Sequence, residues 1–125
     1  MKLQGYVVVA LIALASSLAI AATINASWTN ATQNTDGSAI PATGAGSLVS
    51  TTVEYGTCNG NAFGTKIGEV TSAGTGAVTP NLGPGRYCAR AFHTNTYGEV
   101  SDPSAVGIKV IASPKPNPPS NFSFN

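Results

Sequence analysis

Apolar and polar positions alternate over short spans along most of this chain. In "TINASWT" (Thr23 to Thr29), Ile24, Ala26 and Trp28 fall on one face, as in a half-buried strand. "SLVSTTVEYGT" repeats the pattern, with Val49, Thr51, Val53 and Tyr55 sharing a face. "KIGEVTS" (Lys66 to Ser72) and "GAVTPNL" (Gly76 to Leu82) read as two more short strands. "RYCARAFHT" (Arg86 to Thr94) is the clearest strand, and "AVGIKVIA" (Ala105 to Ala112) the last. Between them, Asn30 to Gly46 reads as a long polar loop carrying Asp36-Gly37 and Pro41. "CNGNAFGT" reads as turn material around Asn59-Gly60, and "NTYGEVS" as another loop. Beyond the first twenty-odd residues no helix-length window combines a 3.6-residue period with caps. The pattern predicts an all-β, antiparallel sandwich.

The opening "MKLQGYVVVALIALASSLAIAA" breaks this rhythm. It has a short basic start at Lys2, an apolar run from Tyr6 to Ile20, and small residues at Ala19 and Ala21. The run is shorter than the ~20 residues of a bilayer span. Residues 1–21 are therefore expected to be a cleaved signal peptide. A retained membrane anchor is the main alternative; a pilin-type leader cut after Gly5 lacks its usual glutamate, Ala10 standing there instead. The expected domain is 22–112, followed by an extended tail, 113–125.

Composition narrows the function classes. Without Lys2 the chain holds five Lys or Arg and five Asp or Glu, which argues against nucleic acid or anionic lipid as a partner. Fourteen glycines and eight prolines fit tight turns between strands. The only cysteines are Cys58 and Cys88, and in an exported chain an even pair is most simply one disulfide. Two thiols and the lone His93 do not make a structural zinc site.

In their order and spacing, "ASWTNATQNTDGSAI", "VEYGT" and "LGPGRYCARAFHTNTYGEVSDPS" resemble a fibronectin type III domain of the bacterial and phage-encoded sort. The likeness runs from about Ala26 to Ile111. It implies an immunoglobulin-like sandwich, a binding or spacer role and no catalytic residues.

The resemblance also bears on the cysteines. It makes the segment ending at Cys58 the antiparallel neighbour of the one beginning near Arg86, so the Cys58–Cys88 pair meets at adjoining strand ends. In the family a tyrosine six residues after the turn leucine forms a corner with the backbone. Counting from Leu82 lands on Cys88, and a one-residue step reverses the face of a strand. Tyr87 is therefore not expected to supply the corner, and the disulfide is expected to replace it.

Candidate chemistry is sparse. The acids Asp36, Glu54, Glu69, Glu99 and Asp102 are scattered and build no triad around His93. Glu54 and Glu69 read better as solvated strand-face charges than as a carboxylate pair, and Asp36-Gly37-Ser38 as a turn with too few ligands for calcium. No catalytic, cofactor or metal site is expected. Arg86, Tyr87, Arg90, Phe92 and Tyr97 are the candidate binding patch, although Arg90 reads as well as a side chain that covers the sheet with its stem. Asn25, Asn30 and Asn121 sit in N-x-S/T patterns, which matter only in a eukaryotic secretory pathway.

The tail "SPKPNPPSNFSFN" is proline-rich and extended. Its end looks like the family's opening strand, for which the chain before Trp28 has little room. Phe122 and Phe124 are the candidate tail contacts. The expectation is a non-enzymatic binding or adhesion module that is secreted, periplasmic or on a cell surface or virion, and contacts protein or carbohydrate there. The alternative is a structural subunit that self-associates through its tail.

Overall fold

The computed structural model describes residues 21–125; all but the last residue of the expected leader lies outside them. Among the described residues six strands form: β1 (Asn25–Ser27), β2 (Leu48–Asn59), β3 (Ala62–Ser72), β4 (Gly76–Val78), β5 (Gly85–Asn95) and β6 (Gly107–Ile111). One antiparallel sheet has the order β3-β2-β5-β6; the other is the pair β1-β4. No described helix is long and apolar enough to cross a membrane. The all-β architecture of two antiparallel sheets follows the sequence pattern.

The larger sheet sorts its residues by parity. Thr51, Val53 and Tyr55 of β2 lie opposite His93, Ala91 and Ala89 of β5, on the face turned to the smaller sheet. Val53 and Tyr55 are buried, as is the Thr51 hydroxyl-bearing side chain. Tyr55 lies over its partner Gly68, where any Cβ would strike the phenol ring. Val49 was expected on this face, yet it is exposed. The β2–β5 register slips between Leu48 and Ser50, and this bulge takes Val49 out of the alternation.

The segment expected as turn material around Asn59-Gly60 is mostly strand. Asn59 pairs with Ala62, so only Gly60 and Asn61 make the turn. Gly60 supplies a φ of 64°, a left-handed conformation that glycine adopts without a Cβ penalty. Arg86 fastens this turn, donating to the Gly60 carbonyl and, at 2.8 Å, to Asn61 Oδ1.

The start of β5 corrects the expectation about the corner. The Tyr87 hydroxyl donates to the Gly83 carbonyl at 2.9 Å, so Tyr87 does pin the entrance to its strand. The parity argument assumed regular strand from Leu82 onward. Gly83 and Pro84 lie outside the strands, and this irregular turn absorbs the one-residue difference. Cys88 consequently points to the opposite, outer face. There it bonds to Cys58, with Cα atoms 5.2 Å apart, within the range a disulfide needs. The disulfide adds to the corner; it does not replace it.

Beyond Ala89, β5 has no strand partner on the β6 side. Two serines fill that role. The backbone N–H of Ser101 donates to the His93 carbonyl while its Oγ accepts the His93 N–H, and Ser104 does the same with Ala91. This explains the Ser-x-Pro-Ser segment physically. Each hydroxyl supplies an acceptor that a regular ladder would take from the backbone, while Pro103, which has no N–H, sits between them.

Candidate functional site

The five residues of the expected patch do not share one surface. Arg86, Arg90 and Phe92 lie on the outer face of the larger sheet, Tyr87 on the inner face, and Tyr97 in the loop after β5. On the outer face Arg90 is already engaged. Its Nε donates to Glu54 Oε1 at 3.1 Å, and its guanidinium lies 4.3 Å from the Phe63 ring centroid and 5.3 Å from that of Phe92. Lys66 extends the cluster, 2.9 Å from Glu69 and 3.6 Å from Glu54. Hydrogen bonding to Glu69, helped by the charges of both glutamates, raises the Lys66 pKa from its ordinary value. These contacts occupy the charges that an external partner would need, so the face reads as a stabilised surface. Phe63 belongs to it and was not singled out by sequence, because its segment read as turn.

Tyr97 sits in a different setting. Asn95 organises its loop: its Oδ1 accepts the N–H groups of Tyr97 and Glu99, each at 3.0 Å, and its Nδ2 donates to Glu99 Oε1 at 2.9 Å. The long loop of residues 30–46 is tied to the same end. Gly46 N–H donates to Thr96 Oγ1 at 2.7 Å, and Thr96 N–H to the Ser47 carbonyl at 3.0 Å. The Tyr97 ring lies beside Gly46, yet the residue remains 68% exposed. Between the two loops lies a polar concavity of about 740 Å³. Asp36 lines it, its pKa lowered from the ordinary value by hydrogen bonds from the Ser38 hydroxyl and backbone N–H. His93 closes its floor. Its Nε2 accepts the Ala31 N–H at 3.3 Å, which leaves Nδ1 as the donor to Thr51 Oγ1 at 2.7 Å. This histidine ties loop to sheet.

A second concavity, about 510 Å³, opens along the flank between the sheets. Ile24, Ala26 and Trp28 form one wall, and Val53, Tyr55, Ala89 and Ala91 line the inner face of the larger sheet. Trp28, on the face that alternation turns inward, is half-buried, and its Nε1–H is closed off from solvent with no acceptor among the described residues. Searches of protein-family models, curated proteins and solved structures each find no match.

Proposed function

We propose that this chain is an exported, non-catalytic binding module of the fibronectin type III-like class, which contacts protein or carbohydrate at a cell surface or virion. Two antiparallel sheets and a disulfide suited to an oxidising compartment support this reading. One observation carries it: an exposed tyrosine, Tyr97, is held by a hydrogen-bonded turn at the rim of a polar concavity built from two loops. A pre-ordered aromatic beside hydrogen-bonding groups is a common anchor in recognition surfaces, because little entropy is lost on contact.

The test is binding of labelled domain to intact cells of the source organism and to a glycan array. Tyr97→Ala is expected to weaken binding roughly tenfold or more, with unchanged circular dichroism. Binding that is absent in the wild type, or unaffected by Tyr97→Ala, overturns the reading.

A further inference from the structure

The flank groove lies between two free strand edges. On the β1 side, Ile24, Ala26 and Trp28 are the residues in register with Thr79, Ala77 and Thr75. Alternation along a strand then turns the N–H and C=O groups of Asn25 and Ser27 away from β4, toward a position where no described strand lies. On the other side, among the described residues, β6 pairs only with β5. The sandwich thus has room for one more strand, with backbone groups to receive it and an apolar floor beneath it.

The chain carries a segment of matching chemistry that its own fold does not use. Residues 113–125 are exposed and form no hydrogen bond with any described residue. Phe122 is 77% exposed and Phe124 94%. Two residues apart, they fall on one face of an extended strand.

We propose that the groove receives the C-terminal tail of a second copy of this chain, which adds a strand at the β1 edge and seats Phe122 and Phe124 against Trp28, Tyr55 and Ala89. The length of the proline-rich segment favours a second copy over the chain's own tail. Ser113 to Pro119 contains four prolines, and as a polyproline-type rod it spans roughly 22 Å at ~3.1 Å per residue. The five residues of β6 span only about 17 Å, so the rod sets the phenylalanines beyond the reach of a groove beside their own last strand. The balance of five basic and five acidic residues after Lys2 sets no net repulsion between copies. The contact is head-to-tail, and successive copies extend as a fibre unless the rotation closes a ring.

This inference does not depend on the role of Tyr97. Sedimentation velocity on the chain from Ala22 to Asn125, over a wide concentration range, tests it with two variants. Phe122→Ser/Phe124→Ser breaks the tail and leaves the sandwich untouched. Gly107→Trp blocks the groove: Gly107 pairs with inward-facing Ala89, and nothing lies within 4 Å of a Cβ built there. The wild type is expected to form concentration-dependent oligomers, and each variant alone to run as a monomer. Mixed in equal amounts, the variants are expected to form heterodimers and nothing longer, since one keeps only its groove and the other only its tail. A wild type that stays monomeric at every concentration overturns the proposal. So does a tail variant that assembles as the wild type does.

Discussion

The two sheets of this sandwich are fixed to different degrees. The larger one has strands of 12, 11 and 11 residues beside the five of β6. It is further held by the Cys58–Cys88 bond, the Tyr87 corner, the Arg90–Glu54 pair and the paired serines beside β5. The smaller sheet is two strands of three residues each, with no described strand on either outer edge and a tryptophan whose N–H has no acceptor among the described residues. A two-stranded ribbon is marginal alone, so β1 and β4 depend on their contact with the larger sheet. The difference teaches where the molecule is most firmly built: the covalent, ionic and side-chain devices gather on the larger layer, and the smaller one leans on it.

The comparison is best strained first through its covalent element. Replacing both cysteines, Cys58→Ser/Cys88→Ser, removes a link across a sequence separation of 30. The chain-entropy model expects a loss of about 3–4 kcal/mol, read from urea denaturation of wild type and variant. A loss below about 1 kcal/mol would mean that the larger sheet holds without its link. Truncation on the other layer should cost less. Trp28→Ala removes a half-buried ring whose N–H is unpaired, so the expected loss is about 2 kcal/mol, under the ~3–5 kcal/mol of a fully buried aromatic. A loss equal to that of Tyr55→Ala would erase the contrast between the layers. Smaller again is Tyr87→Phe, which deletes one hydroxyl donating to the Gly83 carbonyl. About 1 kcal/mol is expected, and an unchanged urea midpoint would show the corner to be geometric only.

The same contrast separates what could be read in the sequence from what could not. Long strands with strict alternation, such as Arg86–Thr94, were legible because period-two burial is a local signal. The cysteine pair was legible because two cysteines in a chain expected to be exported leave one simple pairing. The face of Tyr87 was not, since its position depends on how many residues an irregular turn consumes, and alternation carries no information through a turn. Val49 was missed for the same reason at a bulge. The expected patch dissolved because residues close in sequence on a strand point to opposite faces, and Tyr97 lies past the end of that strand. The loop-end concavity is built by residues such as Pro41, Gly46 and Asn95, far apart in sequence, and only the fold brings them together.

The smallest expected effects are electrostatic, and they fall at opposite ends of the pH scale. Lys66, held between Glu69 and Glu54 on the larger sheet, has its pKa raised above 10.5. A raised folded-state value means that its contribution is complete below the ordinary lysine value and disappears as pH climbs through the folded one. Asp36, in the long loop, has its pKa lowered below 3.8 by Ser38. Its contribution is therefore complete above the ordinary carboxylate value and is lost as pH falls through the depressed one. Both groups are exposed, so solvent screening keeps each effect small. The measurement is the difference in urea midpoint between wild type and each of Lys66→Met and Asp36→Asn across pH, which cancels the titration of groups that touch neither side chain. The Lys66 difference should be flat through neutrality and shrink in the alkaline range, while the Asp36 difference should shrink in acid. A Lys66 difference that persists unchanged above its folded pKa would trace the effect of Lys66→Met to the packing of the lysine stem on the sheet, with no share from its charge.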